Sequence, residues 1–396
     1  MPNAQSLLPD SAEYLADSHI INARDRGFLA ALTEAPSPSG YEEPAVQLFR
    51  ERLANVADEQ ETTVLGSAHA LLRGKDPQGI AVLLAGHVDQ VGFQVAHISD
   101  EGYITLHPVG DIDPALLPGK RLAVHTAQGR LWGAIGRKPV HIYEYEVEEY
   151  PKTLPLHKLF LDVGLSGAEA KERIAIGDPV VYGTAFQELG EGRVFAQALD
   201  DKVGVWVAAR VLEEVHRAGG ASGDVVAAAT VQEEIGYRGG LTSARALDPT
   251  VAIAVEVGGA TDYPHSDKRW GRDIRLGSGP IIARGPNVNP HLFDLLVAAA
   301  KKENIPFQTA AMPVADGTDA SVMQLVGSGK ATALVSVPLR YMHTPVEVIQ
   351  LSDLVHTVNL LTRFILDLKP GTSFTPLYRG AAGVPQNLSR EEGSDS

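Results

Sequence analysis

The chain has 396 residues, of which 44% are hydrophobic and 21% are charged, and its formal net charge is −15 at pH 7. This length allows two or more domains, and the composition is ordinary for a globular protein. The negative charge argues against nucleic acid and anionic membrane as partners. The sequence contains no cysteine, which excludes disulfides and thiolate metal sites. Any metal must therefore be held by His, Asp, Glu or carbonyl oxygen.

The N-terminal residues predict neither a leader nor an anchor. Residues 1–20 lack a basic region followed by an apolar core, so we expect no signal peptide. No apolar run approaches the roughly 20 residues that span a bilayer. We therefore expect a cytoplasmic protein, with residues 1–20 as a loose arm or a contact segment.

The first predicted elements are two helices and a buried strand. The apolar spacing predicts helices over 25–33 and 42–54. Residues 80–86 predict a buried strand that ends at His87.

The pattern changes between about residues 94 and 190. Short β-like runs such as 118–126 and 129–136 alternate there with Gly, Pro and Asp turns. We predict a small β-rich domain inserted into an α/β domain. Residues 143–150 are dense in acids and tyrosines, and we interpret them as a solvated loop or a strand edge.

An α/β pattern resumes near Val194. The predicted helices span 203–215, 239–246, about 290–302 and 353–368, and a further helix begins at Asp319. The predicted strands span 225–231, 251–257, 306–311 and 332–338. Ser352 is predicted to cap the last helix. The tail 370–396 is rich in Gly, Ser, Pro and charge, and we expect it to be mobile.

Two adjacent acids, Glu233 and Glu234, follow a strand that is predicted to be buried on both faces. Two carboxylates in such a place are costly unless a cation, often a metal, compensates them. Ligands also bind at the carboxyl ends of strands in open α/β sheets. Neighbours on an extended chain point in different directions, so one Glu could bind metal while the other acts as general base. The alternative is a solvated acidic turn.

Two further sites combine histidine or aspartate with a strand end or a helix start. Asp89 follows His87 closely, and a carboxylate that fixes the tautomer of a histidine makes it a good metal ligand. The alternative is a turn histidine with an N-capping aspartate. Asp200 and Asp201 precede a helix; such a carboxylate can bridge two cations, or it can cap the helix.

Glu256 and His343 complete the set. Glu256 is a lone acid in an apolar strand, and His343 follows the strand 332–338. The alternatives are an acid paired with a base and a loop histidine. Two histidines and three carboxylates at strand ends of one sheet domain suit a hydrolytic site with two metals roughly 3.5–4 Å apart. No chemistry is assigned to His97, His107, His125, His141 and His157.

These motifs resemble the M42 family of metallo-aminopeptidases, which groups glutamyl and tetrahedral aminopeptidases. The resemblance covers about residues 25–368. It is carried by Ala35-Pro-Ser-Pro-Ser-Gly-Tyr-Glu42, Gly86-His-Val-Asp-Gln-Val-Gly-Phe93, Gly177-Asp-Pro179, Ala198-Leu-Asp-Asp-Lys202, Thr230-Val-Gln-Glu-Glu-Ile-Gly236, Gly317-Thr-Asp-Ala320 and Arg340-Tyr-Met-His-Thr-Pro345. The order and the spacing of the motifs both match.

The resemblance implies two divalent metal ions per subunit, zinc or cobalt, with manganese as an alternative. The implied ligands are Asp200 as the bridge, His343 and Glu234 for one ion, and His87 and Glu256 for the other. Glu233 is implied as the general base and acid, and Asp89 as the residue that orients His87.

The implied fold is α/β, with a mixed-sheet di-metal peptidase catalytic domain over 20–93 and 191–369 and helices on both faces. The insert, 94–190, is implied to be a β-barrel or PDZ-like dimerisation domain, whose dimers form a dodecameric tetrahedron in relatives. The implied function is release of N-terminal amino acids from peptides with a free N-terminus, through a metal-activated water. The alternatives are a related di-metal deacylase or carboxypeptidase, or a non-catalytic peptide-binding assembly protein.

The chain departs from the family pattern in three places. Glu256 stands where the family usually has Asp, which leaves metal identity and affinity open. Asp316 adds an acid to a loop beside the implied substrate site and favours a basic side chain. Gln90-Val-Gly92 replaces the usual Glu-Ile-Gly. None of these changes removes a type of ligand.

Overall fold

The computed structural model describes residues 21–137, 139, 141, 154–271, 273–314 and 317–376. The predictions for the arm 1–20, for the stretch 143–150, for Asp316 and for the tail beyond residue 376 lie outside these residues. The helices are α1 (Ala23–Glu34), α2 (Glu43–Leu53), α3 (Gly167–Arg173), α4 (Leu199–Arg217), α5 (Arg238–Leu247), α6 (Lys268–Gly271), α7 (Pro290–Lys302), α8 (Asp319–Met323) and α9 (Leu351–Asp367). Within the described ranges, none of these helices combines the length and the apolar character that crossing a membrane requires.

The strands form a large sheet, a small sheet and a barrel. They are β1 (Glu59–Thr62), β2 (Ala68–Leu72), β3 (Val82–His87), β4 (Gly92–Ile98), β5 (Tyr103–Val109), β6 (Arg121–Thr126), β7 (Gly129–Ile135), β8 (Leu161–Asp162), β9 (Pro179–Tyr182), β10 (Gln187–Glu188), β11 (Arg193–Ala196), β12 (Val225–Thr230), β13 (Val251–Gly259), β14 (Ile281–Arg284), β15 (Gln308–Ala311), β16 (Ala331–Leu339) and β17 (Glu347–Gln350).

The large sheet has eight strands in the order β1-β2-β12-β3-β13-β16-β14-β15. The central strands β12, β3, β13 and β16 are parallel, whereas β2 and β14 run antiparallel to their central neighbours. Strands β12 and β3 are buried along their whole length, as expected for parallel strands covered on both faces. The prediction of a mixed α/β fold is confirmed.

Helix α4 packs unusually closely on the sheet because two glycines remove the side chains between them. A Cβ atom on Gly86 of β3 would lie 2.3 Å from the carbonyl carbon of Gly204 in α4. A Cβ atom on Gly204 would lie 2.1 Å from the carbonyl oxygen of Val255 in β13. Both distances are far below van der Waals contact, so only glycine permits this approach. The contact brings the start of α4 beside the ends of β3 and β13.

Strands between Gly92 and Tyr182 close a barrel in the order β4-β5-β8-β7-β6-β9. Its interior is a separate apolar cluster that includes Phe93, Ile104 and Leu122. Closure leaves the barrel without free edges, which a β-rich insert would otherwise expose. A second sheet of three strands, β10-β11-β17, is separate from the large sheet and from the barrel.

The prediction that Ser352 caps the last helix is wrong. Strand β17 runs directly into α9, so that Gln350 occupies the N-cap position without a side-chain cap bond and Ser352 lies inside the first turn. The neighbouring acid, Asp353, is buried and accepts hydrogen bonds from the backbone N–H groups of Gly277 and Gly279 at 2.7 and 2.8 Å. The extended residue that precedes the helix is Gln350, so Ser352 is already helical and cannot occupy the N-cap position.

Candidate active site

The carboxyl ends of three neighbouring parallel strands supply most of the predicted site residues. His87 is the last residue of β3, Glu256 lies near the end of β13, and Glu233 and Glu234 follow β12. These strands are adjacent in the sheet, so their ends meet at one edge, where ligands bind in α/β folds.

Asp200 lies at the beginning of a helix, as predicted. The strand that precedes it, β11, belongs to the three-stranded sheet rather than to the large sheet. Asp200 lies at the start of α4, and the peptide bond that joins it to Asp201 is cis. The close packing of α4 on the sheet therefore positions it. His343 comes from the loop between β16 and β17.

Asp200 lies between the two histidines and faces one with each oxygen. Its Oδ1 atom is 3.2 Å from Nε2 of His87, and its Oδ2 atom is 3.2 Å from Nε2 of His343. Glu256 Oε2 lies 3.5 Å from the His87 nitrogen, and Glu234 Oε2 lies 3.4 Å from the His343 nitrogen. These side chains form two triads, His87–Asp200–Glu256 and Asp200–Glu234–His343, each of which could hold a metal ion.

The electrostatics of the cluster favour an added cation. Burial raises the pKa of Glu233 to about 8 and that of Glu234 to about 7, and it raises the pKa of Glu256 well above its usual range. The Oε1 atom of Glu234 is buried and has no hydrogen-bond partner among the described residues. Buried carboxylates without a compensating charge are unfavourable. The donor set of carboxylate oxygens and imidazole nitrogens therefore fits divalent metal ions.

The two histidines partly compensate this charge. Burial lowers the pKa of His87, but the nearby Glu256 and Glu233 have the larger combined effect and raise it well above its usual range. Burial likewise opposes the positive charge of His343, but the hydrogen bond to Asp200 raises its pKa to about 9. The pKa of Asp200 is lowered, because its bonds to both imidazoles outweigh the effect of burial. Asp200 is thus the carboxylate of the cluster that stays charged most readily.

Asp89 contacts both His87 and the turn that carries the paired glutamates. Its backbone oxygen lies 3.1 Å from Nδ1 of His87, and its Oδ1 atom lies 3.6 Å from the same nitrogen. Its carboxylate accepts hydrogen bonds from the backbone N–H groups of Glu233 and Glu234 at 3.0 and 3.1 Å, and from the Ser39 hydroxyl at 2.7 Å. Asp89 therefore ties β3 to the glutamate turn.

Two further buried acids hold the backbone of the site in the same way. Asp201 accepts from the backbone N–H of His87 at 3.1 Å. Glu347 accepts from the backbone N–H of Asp200 at 3.0 Å and from that of His343 at 2.9 Å. Sequence reasoning assigned no role to Glu347. The sequence offered only a partial signal: Glu347 opens a short apolar strand, much as Glu256 interrupts a longer one, which marks a buried acid but not its partners.

Lys202 and Asp319 are also buried beside the site and were not predicted as functional. The Lys202 ammonium donates to the backbone oxygen of Ala35 at 2.6 Å and to Gln90 Oε1 at 2.8 Å. Burial lowers its pKa to about 7. Asp319 accepts from the Thr230 hydroxyl at 2.7 Å, and burial raises its pKa to about 6. Lys202 thus links α4 to the segments that carry Ala35 and Gln90, and Asp319 links α8 to the end of β12.

A mixed α/β sheet that gathers histidines and carboxylates at its strand ends is typical of hydrolases that act through cations. Residues 66–360 match the profile of the family described as M42 glutamyl aminopeptidase, and the chain belongs to this family. It is an aminopeptidase, and therefore a hydrolase.

Known relatives span nearly the whole chain. The lysyl aminopeptidase of Pyrococcus furiosus is 34% identical over 356 residues, which cover 89% of this chain and 99% of the relative. The structure of aminopeptidase APDkam598 from the archaeon Desulfurococcus kamchatkensis has a TM-score of 0.81 at 34% identity, covering 88% of this chain and 96% of the other. The TET1 peptidase of Pyrococcus horikoshii, described as able to assemble into a tetrahedron or a large octahedral shell, has a TM-score of 0.77 at 28% identity, covering 87% and 100%.

Proposed function

We propose that this protein is a metal-dependent exopeptidase that releases N-terminal amino acids from peptides through a metal-activated water. The observation that carries the proposal is that two ligand triads share Asp200, with Glu233 beside them but outside both triads. This arrangement separates the residues that would hold cations from the residue that would carry a proton.

Two divalent ions would be held by the two triads, with Asp200 as the shared ligand. We propose zinc or cobalt, with manganese as an alternative, because oxygen and nitrogen donors accept all three. When bound, such ions polarise the scissile carbonyl group and lower the pKa of a water molecule. Glu256 retains a carboxylate where the family usually has the shorter Asp, so its triad keeps its ligand types.

Glu233 would accept a proton from the attacking water and deliver it to the leaving amine. Its Oε2 atom lies 3.8 Å from Nε2 of His87, so its carboxylate faces the site. Its backbone is fixed through the hydrogen bond to Asp89. Asp89 would orient His87 as well, since it contacts the ring nitrogen that faces away from Asp200.

The acidic surroundings also favour peptides with a free N-terminus. The cleft beside the triads is lined by Asp200, Glu234 and Glu347, among other residues. An α-ammonium group is attracted to such carboxylates, whereas an acylated N-terminus carries no charge. This preference is that of an aminopeptidase rather than an endopeptidase.

We further propose that the barrel mediates dimerisation and that dimers assemble into a dodecamer. The barrel exposes the aromatic residues Tyr103, Trp132 and Phe160, each more than two fifths exposed. Exposed aromatic residues are enriched at protein interfaces. The described assemblies of the Pyrococcus horikoshii relative support this proposal.

A substrate panel tests the proposed function. The protein is treated with a chelator and then assayed with zinc, cobalt or manganese against aminoacyl-nitroanilides, their N-acetylated counterparts and N-acyl amino acids. We expect hydrolysis only of substrates with a free α-amine, and only after metal is restored. Hydrolysis of N-acyl amino acids in place of aminoacyl substrates would identify a deacylase instead.

A further inference from the structure

The cleft beside the triads is built by two separate parts of the fold. Asp200, Glu234 and His343 line it from the side of the large sheet. Tyr182 lines it from the barrel, where it is the last residue of β9. A peptide bound against the triads would therefore lie next to a side chain that the barrel supplies.

The Tyr182 ring has a fixed position. It packs edge-on against Phe93, with the ring centroids 5.7 Å apart and the planes at 83°. Only 3% of Tyr182 and none of Phe93 is exposed. Strand β9 pairs with both β4 and β6, which holds the backbone on each side. The hydroxyl group is thus presented at one place rather than sampling many.

The hydroxyl of Tyr182 is buried and has no hydrogen-bond partner in the part of the chain that the structure describes. A buried hydroxyl without a partner is unfavourable, and most buried tyrosines find one. Tyr41 shows the usual arrangement, since its hydroxyl donates to the backbone oxygen of Gly177 at 2.6 Å and accepts from Gln94 at 2.8 Å. The unpaired hydroxyl therefore belongs to a side chain that lines the cleft beside the triads.

We propose that the Tyr182 hydroxyl donates a hydrogen bond to the carbonyl oxygen of the peptide bond that the enzyme hydrolyses. The inference rests on the proposed aminopeptidase function. The cleft offers many acceptors, the carboxylates of Asp200, Glu234 and Glu347, whereas a carbonyl oxygen needs a donor. Water adds to the carbonyl carbon, the π electron pair moves to the oxygen, and the developing negative charge strengthens the hydrogen bond.

The hydroxyl keeps its proton throughout. Burial, together with the carboxylates of Asp113 and Glu347, raises the pKa of Tyr182 well above its usual range. Tyr182 therefore stabilises charge as a neutral donor, while the proton transfers remain with Glu233. Through Tyr182, the barrel contributes directly to catalysis.

The Tyr182→Phe variant tests this role, because it removes the oxygen and keeps the ring. We expect kcat toward an aminoacyl-nitroanilide to fall about 10- to 100-fold, as for loss of a hydrogen bond to a charged acceptor. KM and the metal content should change little. The melting temperature should stay the same or rise, because an unpaired buried hydroxyl is lost.

Tyr41→Phe is the matched control. It removes a hydroxyl that is paired within the protein, so we expect a lower melting temperature with kcat unchanged. A wild-type kcat in Tyr182→Phe would overturn the inference, and so would a loss of stability without a loss of rate. Inactivity of the wild-type protein on every aminoacyl substrate would instead contradict the proposed function itself.

Discussion

The carboxylate of Glu347 accepts a hydrogen bond from the backbone N–H of Asp200 at 3.0 Å. The same carboxylate accepts from His343 at 2.9 Å, so one buried acid joins the start of α4 to the loop after β16. These segments are distant in sequence and carry two of the proposed ligands. Their relative position therefore depends on a residue that is not itself a proposed ligand.

Replacing Glu347 with alanine should weaken metal binding without removing a ligand. The change leaves two backbone N–H groups unpaired and frees both segments, and the loss of a group that orients metal ligands typically costs about 10- to 100-fold in affinity. Glu347→Gln keeps an acceptor oxygen and should lie between alanine and the wild type. Competition with a chelator of known affinity measures the effect. Glu59→Ala, in an exposed pair with Arg73, is the control, and equal weakening in both variants would contradict the role of Glu347.

The two adjacent glutamates should give different phenotypes. Glu233→Gln removes the proposed proton carrier and should lower turnover about 100- to 10,000-fold while both ions stay bound. Glu234→Gln removes a proposed ligand and should lower the affinity for one ion. Turnover and metal content are measured on the same preparations. Near wild-type turnover in Glu233→Gln would show that another group moves the proton.

The buried ion cluster around Arg52 should be important for stability. Its guanidinium donates to both oxygens of Glu213 at 2.6 and 2.9 Å and also pairs with Asp25, and all three side chains are at most 7% exposed. Arg52→Ala leaves buried acids with less compensation and should reduce the free energy of unfolding by about 3 kcal/mol. This loss lies at the lower end of the range for breaking a buried ion pair, because Arg210 remains beside Asp25 and Glu213.

Chemical denaturation of Arg52→Ala measures this loss. The control is Arg73→Ala, since Arg73 pairs with Glu59 and Asp224 at the surface. Solvent screens that pair, and its loss should leave the denaturation midpoint near the wild-type value. Equal midpoints for the two variants would show that the Arg52 cluster contributes no more than a surface pair.

A buried histidine remote from the triads should make stability depend on pH. His69 in β2 bonds to the Ser243 hydroxyl at 2.9 Å, and burial lowers its pKa from 6.5, a shift that the nearby Glu61 opposes. The folded state then binds fewer protons than the unfolded state below the unfolded pKa. The contribution of neutral, buried His69 to stability is therefore present at neutral pH. It is lost as the pH falls, by at most about 1.4 kcal/mol per pH unit.

The comparison of wild type with His69→Gln isolates this contribution. Glutamine does not titrate, so the variant should lose less stability than the wild type between about pH 7 and pH 5. His107→Gln, at an exposed position of the barrel, is the control. Parallel pH dependences for wild type and His69→Gln would contradict the assignment.

The sequence predicted the ends of β3, β12 and β13 that carry proposed ligands, because runs of small apolar residues stop there at His87, the paired glutamates and Glu256. Local pattern was enough for these elements, since their burial follows from composition. The local pattern also predicted most of the helices, and their observed ends differ from the predicted ends by only a few residues.

The supporting contacts could not be predicted in the same way. Glu347 and Asp201 act through backbone N–H groups of distant segments, and such partners depend on how α4 packs against the sheet. The predicted cap at Ser352 failed because no local signal shows that β17 continues into α9. The position of Tyr182 depends on how the barrel meets the site, which the pattern of β9 does not encode.

Two divalent ions are proposed to share Asp200, and titration of the chelated protein with zinc or cobalt is the most direct test. Calorimetry should show two equivalents bound per chain in the wild type, with aminopeptidase activity rising as they bind. A stoichiometry below two, or full activity in the metal-free protein, would contradict the account.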